Sequence, residues 1–207
     1  MLSRFVWACA LPLALLIARA EAAIPPLGGN TAKPTQPPDP VWPESFHATL
    51  HQNYLNSLGV IELYYDWNRK ANLNIITQQS AEAKGSLYDL QFDSGDTYYF
   101  TPQTRECTPQ DYSIGILTPD WLREAQYLGL QQVGIYLTHT WSKGESLDGD
   151  GTPFVYYHDD VITRRPVKWR FYTGRVIDVI AYTPYEPTPD SLWQVPGYCS
   201  NKTATTI

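Results

Sequence analysis

Residues 117–141 read LTPDWLREAQYLGLQQVGIYLTHTW, and this stretch predicts one helix followed by one strand. Thr118 is a favourable N-cap, and Pro119 suits the first helical position because its missing N–H needs no partner there. Apolar residues then recur at helical spacing. From Val133 to Trp141, apolar and polar residues alternate with the period of a β-strand. We therefore predict a helix over residues 119–128 and a strand over residues 133–141.

The flanking sequence has the pattern of an antiparallel β protein. Segments in which apolar and polar residues alternate are separated by turns rich in Asn, Asp and Gly, and about ten strands are predicted in this way. The turns at 68–72 and 93–96 each join two such segments into a β-hairpin. One short helix among many strands usually packs against the sheet. We therefore predict an all-β fold, a curved antiparallel sheet or half-barrel with the helix packed on its concave face.

The N-terminal residues have the features of a secretory signal peptide. Arg4 gives a positive start, residues 5–17 are mostly apolar, and residues 18–20 have the small-x-small form of a cleavage site. We therefore expect the protein to be secreted or to reside in the lumen of the secretory pathway. The predicted organisation is a signal peptide at 1–20, a proline-rich leader at 21–44, a single β-rich domain at 45–200 and a tail at 201–207.

The charge balance of the chain is acidic. Its 15 Lys and Arg residues stand against 21 Asp and Glu residues, a net charge of −6. Nucleic-acid binding needs a basic surface that neutralises phosphates, so this balance argues against a nucleic-acid partner. After the signal peptide no stretch is long and apolar enough to span a bilayer, and no transmembrane segment is predicted.

The cysteines predict one disulfide bond. Cys9 lies in the predicted signal peptide, which leaves Cys107 and Cys199. Two cysteines in an oxidising compartment rarely stay unpaired, so we predict a bond between Cys107 and Cys199. Asn201 begins the sequon Asn-Lys-Thr and is the predicted glycosylation site.

The histidines and acidic turns do not have the spacing of a metal site. His47 and His51 would share one face of a strand about 13 Å apart, too far for one ion. Residues 146–151 read SLDGDG and resemble the start of a calcium loop, but Tyr157 stands where that loop needs a glutamate. A tight hairpin turn explains the same residues, and weak calcium binding at Asp148 and Asp150 stays open as the alternative. We predict no metal and no cofactor, since phosphate-loop and dinucleotide motifs are also absent from the sequence.

The sequence contains no clear catalytic pattern. His158, Asp159 and Asp160 form the densest polar group, and on a strand His158 and Asp160 would share a face while Asp159 points the other way. No nucleophile elbow accompanies them. Four acids could supply a carboxylate pair for glycoside chemistry, although no spacing favours it: Glu62, Asp66, Asp89 and Asp111. We predict no catalytic residue.

A set of aromatic, proline and cysteine motifs runs through residues 41–200. The motifs are Trp42-Pro43 with Phe46, Tyr65-Asp66-Trp67, Leu87-Tyr88-Asp89-Leu90, Cys107, residues 115–129, Trp141, residues 165–174, and Trp193-Gln194-Val195-Pro196 with Cys199. This set is similar to a plant and protist family of secreted proteins of unestablished function, some of which are labelled glycosyltransferases. More distantly, the Tyr-Asp strand, the mid-chain cysteine and the proline-rich terminal cysteine resemble the ependymin-related proteins.

The ependymin resemblance implies a fold like that of the bacterial lipoprotein carriers, a curved antiparallel half-barrel closed by helices over an apolar cavity. It also implies binding of a lipid or another hydrophobic ligand, and of calcium. This chain departs from the ependymin pattern because it has one cysteine pair where typical members have more.

The chain is rich in aromatic residues, with 7 Trp, 15 Tyr and 6 Phe. Such residues form good strands, and they also line the walls of ligand sites. Together with the resemblance, this predicts a secreted, non-enzymatic binding protein for a hydrophobic or amphipathic ligand such as a lipid. The predicted wall of the site is Ile61, Leu63, Tyr65 and Trp67, and the predicted lid is Trp121, Leu122 and Leu128.

The choice of face and two other functions stay open. Periodicity does not say which face of a strand is concave, so the face that carries Tyr64 or Tyr136 is an alternative wall. A carbohydrate-active enzyme, for glycosyl transfer or hydrolysis, would use carboxylates such as Asp66 or Asp160. A cell-wall or extracellular-matrix module would stack exposed Trp and Tyr on a polysaccharide.

Overall fold

The computed structural model describes residues 36–55, 57–79, 85–199 and 205–206. The predicted signal peptide, the leader up to residue 35 and the predicted glycosylation site Asn201 lie outside the described residues. Within the described part, no helix is long and apolar enough to cross a membrane.

Twelve β-strands of the described residues join in one sheet. They are β1 (Ser45–Tyr54), β2 (Ser57–Asp66), β3 (Ala71–Gln78), β4 (Leu87–Phe92), β5 (Asp96–Thr101), β6 (Glu106–Asp111), β7 (Gln126–Val133), β8 (Tyr136–Glu145), β9 (Pro153–Asp160), β10 (Pro166–Phe171), β11 (Val176–Pro184) and β12 (Thr205–Thr206). A 3₁₀ helix at Asp190–Trp193 follows β11. Neighbouring strands are antiparallel, except that β12 runs parallel to β6. The predicted all-β fold with a curved antiparallel sheet is confirmed.

The sheet consists of two antiparallel meanders that meet at β1. Its strand order is β12-β6-β5-β4-β3-β2-β1-β11-β10-β9-β8-β7. β1 pairs with β2 along its whole length, and on its other side it pairs with β11, where Phe46 lies opposite Pro184. This long-range pairing joins β1–β6 and β7–β11 into one continuous surface.

Two hydrophobic cores lie on opposite faces of the sheet. The larger core lies on the concave face and includes Phe46 and Leu50 of β1, Leu63 of β2 and Trp141 of β8. The smaller core lies on the outer face of β3–β6, where the segment around Trp193 covers it. Both faces of the first meander therefore bury side chains, and strict alternation assigns each side chain to one core.

The predicted disulfide bond between Cys107 and Cys199 is confirmed. Cys107 lies on β6, the Cα atoms are 5.4 Å apart, and the two residues are separated by 92 positions in the sequence. Both cysteines are buried in the smaller core. The bond therefore fastens the segment that follows the 3₁₀ helix to the outer face of the sheet.

The predicted helix at 119–128 is wrong. Residues 119–124 form successive turns, in which the N–H of Arg123 donates to the carbonyl of Asp120 (2.7 Å), and β7 begins at Gln126. The leader binds the backbone of this turn, because the N–H of Trp42 donates to the carbonyl of Pro119 (2.8 Å). Tertiary contacts thus supply partners that a helix would have supplied, and a helix this short is marginal by itself.

The predicted strand at 133–141 is also wrong at its N-terminal end, because the observed strand begins at Tyr136. β7 ends at Val133, Gly134 and Ile135 form a turn, and β8 begins at Tyr136. Gly134 has φ +57°, as the first central residue of a two-residue hairpin turn requires, and Ile135 is exposed. A two-residue turn preserves the alternation of the pattern, so periodicity does not reveal it.

Replacing Gly95 by alanine should destabilise the protein more than replacing Gly174. Both glycines have positive φ (+98° and +82°), so alanine costs about 1–2 kcal/mol at either site. A Cβ at Gly95 would lie only 2.0 Å from the carbonyl oxygen of Tyr112, whereas a Cβ at Gly174 meets no atom within 4 Å. Overpacking should add about 1–3 kcal/mol at Gly95. Urea unfolding measures both variants, and equal losses would contradict the contact at Tyr112.

Candidate ligand-binding cavity

The concave face of the sheet holds a cavity of about 470 Å³. Its wall comes from β1–β4 on one side, from β8–β11 on the other, and from the segment between β6 and β7. Most lining side chains are apolar, among them Leu50, Ile61, Leu63, Ile76, Ile116 and Ile177. The volume lies within the range of roughly 300–1,000 Å³ that is typical of small-molecule sites.

Aromatic rings around Trp42 form a rigid part of the wall. The centroid of the Trp42 ring lies 5.3 Å from that of Trp121, 5.4 Å from that of Tyr65 and 6.0 Å from that of Trp169. Trp42 also donates from Nε1 to the hydroxyl of Tyr157 (3.3 Å). The contacts with Trp121 and Tyr65 are edge-to-face, and such pairs contribute about 0.5–1.5 kcal/mol each beyond the buried area. This side of the cavity is therefore pre-formed.

Tyr65 presents its hydroxyl to the backbone of the segment between β6 and β7. It donates to the carbonyl of Leu117 at 2.9 Å. Burial raises the pKa of Tyr65, so the phenol stays protonated and keeps this bond. The hydrogen bond fixes the turn that carries Trp121 against the cavity.

Four of the polar side chains in the cavity wall lie side by side. They project from β3 and β4 to the concave face, where Asn72 lies opposite Gln91 and Asn74 lies opposite Asp89. Gln91 donates from Nε2 to both carboxylate oxygens of Asp89 (2.9 and 2.8 Å), and Asn74 donates from Nδ2 to Asp89 (3.2 Å). Asn72 donates from Nδ2 to Oε1 of Gln91 at 3.5 Å. The four side chains thus form one network, which we call the polar cluster.

Asp89 is the charged member of the polar cluster, and only 7% of it is exposed. Burial raises the pKa of Asp89, and the hydrogen bonds from Gln91 and Asn74 offset part of this rise. Among the described residues, no Lys, Arg or His forms a salt bridge with it. A carboxylate that faces a cavity without a cation is costly unless a ligand or a proton neutralises it.

The structure brings together four of the seven predicted ligand-binding residues. Ile61, Leu63, Tyr65 and Trp121 all line the cavity. Their role in binding stays a prediction, but β2 does present the predicted face to the concave side.

The other three predicted residues lie away from the cavity wall. Trp67 packs at the edge of the larger core, with Nζ of Lys70 3.0 Å from its ring centroid. Leu122 is fully buried in that core. Leu128 is exposed on β7 and borders a separate groove on the outer face, beside His158. With the helix absent, Leu122 and Leu128 do not join Trp121 in the predicted lid, and Trp67 does not join the predicted wall.

Sequence reasoning missed the polar cluster as a unit. Asn72 and Asn74 alternate with Leu73, and Asp89 and Gln91 flank Leu90, so polar residues occupy one face of a hairpin whose other face is apolar. This alternation was visible in the sequence. It did not tell whether the polar face meets solvent or a cavity.

The polar trio at the end of β9 does not converge on one site. Asp159 is fully buried and accepts hydrogen bonds from Nε1 of Trp141 (2.6 Å) and from Arg164. His158 lies on the other face beside Thr140 (3.2 Å), and burial lowers its pKa to about 4. Asp160 accepts from the backbone N–H of the following turn. Each side chain therefore has a structural partner of its own.

Of the four acids considered for glycoside chemistry, only Asp89 lines the cavity. Glu62 lies on the outer face, where it bonds to His47 (2.7 Å) and Thr49 (2.9 Å). Asp66 pairs with Arg69 at 3.1 Å in the turn after β2.

Residues 146–152 form the turn of the β8–β9 hairpin. The hydroxyl of Ser146 (2.7 Å) and the N–H of Thr152 (2.9 Å) donate to one oxygen of Asp150, and these bonds lower the pKa of Asp150 to about 2. The second oxygen accepts from the hydroxyl of Thr152. Both oxygens thus hold the turn closed, as the hairpin interpretation requires.

Residues 41–199 match the family described as Domain of unknown function (DUF8395). The chain belongs to this family. The DUF8395 region includes β1–β11, the disulfide bond and every residue of the cavity wall. No curated protein matches the chain in sequence.

Solved structures show what the DUF8395 fold resembles. An uncharacterized conserved protein from Thermus thermophilus aligns with a TM-score of 0.53 and 10% identity, covering 79% of this chain and 90% of that chain. MucB aligns with a TM-score of 0.42 and 14% identity, covering 75% of this chain and 58% of that chain. The LolA superfamily protein NE2245 from Nitrosomonas europaea aligns with a TM-score of 0.40 and 12% identity, covering 75% of this chain and 93% of that chain. At such identity, the likeness to the Thermus protein concerns the fold alone.

Proposed function

We propose that the protein is a non-enzymatic binding protein for a hydrophobic or amphipathic small molecule, which it holds in the cavity of the concave face. The observation that carries this proposal is the 470 Å³ cavity, whose mainly apolar wall is built by both meanders. Each methylene group moved from water into such a wall contributes about 0.8 kcal/mol.

The rigidity of the wall supports the same proposal. A pre-formed site loses little conformational entropy on binding, so more of the burial energy appears as affinity. The aromatic rings around Trp42 are packed against one another, and the hydrogen bond from Tyr65 to Leu117 holds the neighbouring segment. A volume in the lower half of the usual range suits a ligand with a single aliphatic chain.

We further propose that the protein works outside the cytosol. The disulfide bond between Cys107 and Cys199 supports this location, because such bonds persist in oxidising compartments. Material expressed through a secretory route is therefore the right sample. Extraction of that sample with organic solvent and mass spectrometry of the extract identifies the class of any co-purified amphiphile.

Replacing Leu63 by tryptophan should lower the affinity for an apolar probe at least about tenfold. Leu63 lines the cavity from β2, so the larger ring occupies the space of the ligand. The probe is phenylnaphthylamine, an uncharged dye whose fluorescence rises in apolar surroundings. A titration of the dye into the purified protein gives the dissociation constant.

The control is Ile180→Trp, which adds a ring on the same sheet where the side chain is 62% exposed. It should bind the dye like the unchanged protein. Circular dichroism checks that Leu63→Trp keeps the sheet, since overpacking costs about 1–3 kcal/mol. Equal dye binding by the two variants, or no saturable binding by the unchanged protein, would overturn the proposal.

A further inference from the structure

The hydrogen-bond directions in the polar cluster follow from Asp89. An ionised carboxylate only accepts, so Asn74 and Gln91 must turn their NH₂ groups towards it. The carbonyl oxygen of Gln91 then points to Asn72, which must in turn present its own NH₂ group. One charge thus orients three amides.

Within the polar cluster, Gln91 directs its NH₂ group to both oxygens of Asp89, while Asn72 and Asn74 each use one of their two N–H donors. The side-chain oxygens of Asn72 and Asn74 accept no hydrogen bond from another side chain in the described part of the chain. A carboxylate has about four acceptor positions, and Asp89 receives three bonds from the amides. What the cluster offers to a molecule in the cavity is therefore mainly acceptors, and its complement is a donor.

The charge of the complementary donor follows from the surroundings of Asp89. The two basic side chains of the cavity wall are engaged elsewhere: Lys143 donates to the carbonyl of Arg123, and the guanidinium of Arg175 lies 4.8 Å from the ring centroid of Tyr54. On β5, Tyr99 is the residue opposite Asp89 and adds no positive charge. The wall thus carries two acids, Asp89 and Glu145, and two bases, and among the described residues neither base pairs with Asp89. A cation is the partner that Asp89 lacks.

We infer that the ligand carries a protonated primary amine as its polar head, which donates hydrogen bonds to Asp89, Asn72 and Asn74. This inference rests on the proposed binding function and names its ligand class, a single-chain amphiphilic amine. A primary ammonium has three N–H donors, which suits three acceptors. A quaternary ammonium has the charge without the donors, an alcohol has one donor without the charge, and a carboxylate head meets repulsion from Asp89.

Four amphiphiles with the same twelve-carbon chain separate these alternatives: dodecylamine, dodecyltrimethylammonium, dodecanol and dodecanoate. Each compound is titrated into the full protein with bound phenylnaphthylamine at neutral pH and physiological salt, and the fall in dye fluorescence measures displacement. We expect dodecylamine to displace the dye at a concentration at least about tenfold lower than any of the other three. Because the quaternary analogue has the same charge, general attraction to an acidic protein does not produce this difference.

Asp89→Asn tests the residue that the inference depends on. Asparagine keeps the shape and one acceptor but removes the charge, so the advantage of dodecylamine should disappear while dye binding persists. The control is Asp178→Asn, which neutralises an acid on the outer face of β11 and should keep the advantage.

The outcomes distinguish this inference from the proposed function. Equal displacement by dodecylamine and dodecanol, or by dodecylamine and its quaternary analogue, overturns the amine head and leaves the apolar cavity supported by dye binding. An unchanged preference in Asp89→Asn overturns the role of Asp89. Failure of the dye itself to bind the unchanged protein overturns the proposed function, and the inference with it.

Discussion

Replacing Asp159 by alanine is expected to lower the free energy of unfolding by about 1–3 kcal/mol, the cost of leaving a buried donor without its partner. Asp159 on β9 has no exposed surface, and its carboxylate accepts from Nε1 of Trp141 at 2.6 Å and from the guanidinium of Arg164. Alanine leaves the buried indole N–H without its acceptor and the guanidinium without its counter-charge. Urea unfolding at neutral pH measures the loss.

The effect should extend to the leader. Arg164 also donates to the carbonyl of Pro38 (2.9 Å), so Asp159 orients the side chain that holds the chain in front of Trp42. Because Asp159→Ala frees Arg164 from this orientation, we expect cleavage by a protease near residue 38 to become faster in the variant. In the unchanged protein, burial raises the pKa of Asp159, and the hydrogen bonds from Arg164 and Trp141 offset part of this rise.

The matched control for Asp159 is Asp178→Ala on β11. Asp178 pairs with Lys168 at 3.0 Å, but 41% of the Asp178 side chain is exposed. Surface ion pairs contribute about 0–1 kcal/mol, so this variant should lose little. A loss in Asp159→Ala no larger than that of the control would show that the buried pair does not stabilise the fold as we describe.

Local patterns in the sequence were sufficient for the strands that carry the site. Ile61, Leu63 and Tyr65 alternate without a break, and β2 places all three on the concave face. The cysteine pair could also be predicted, because two thiols in an oxidising compartment have few alternatives. These features depend on period and chemistry, which a single sequence contains.

Contacts between distant segments decided the features that could not be predicted. The turn at 119–124 replaces a helix because Trp42 and Asp39 of the leader bind its backbone, Asp39 through the N–H of Glu124 at 2.7 Å. The polar cluster depends on the register that sets Asn74 opposite Asp89. Periodicity does not contain such pairings.

The side chains of β3 and β4 face a core on one side of the sheet and the cavity on the other, which explains why the concave face could not be chosen from hydrophobicity. Leu73 and Leu90 on the outer face are covered by the segment around Trp193, and the concave face holds Asn72 and Asn74. The more apolar face of these strands is thus the one that does not line the cavity. Strands usually turn their more apolar face to the interior of the protein. Here β3 and β4 turn a polar face to the cavity, and this exception lies where a ligand site is proposed.

Replacing both Cys107 and Cys199 by alanine is expected to lower the free energy of unfolding by about 2–5 kcal/mol. The bond spans 92 positions, so its loss gives the unfolded chain many more conformations. In the folded state it also holds Trp193 and Leu192 over Leu73 on the outer face. Urea unfolding with and without a reductant measures the loss: reductant should destabilise the unchanged protein and leave the double variant unaffected.

Dye binding separates this effect from the ligand site. The smaller core lies on the opposite face of the sheet from the cavity, and neither cysteine lines the cavity. Below the unfolding transition, the double variant should therefore bind phenylnaphthylamine as the unchanged protein does, while protease cleaves the segment at 190–199 sooner. A weaker affinity for the dye in a folded double variant would mean that the outer face supports the cavity wall through β3 and β4. A loss of stability below about 1 kcal/mol would mean that the smaller core holds the terminal segment without the bond.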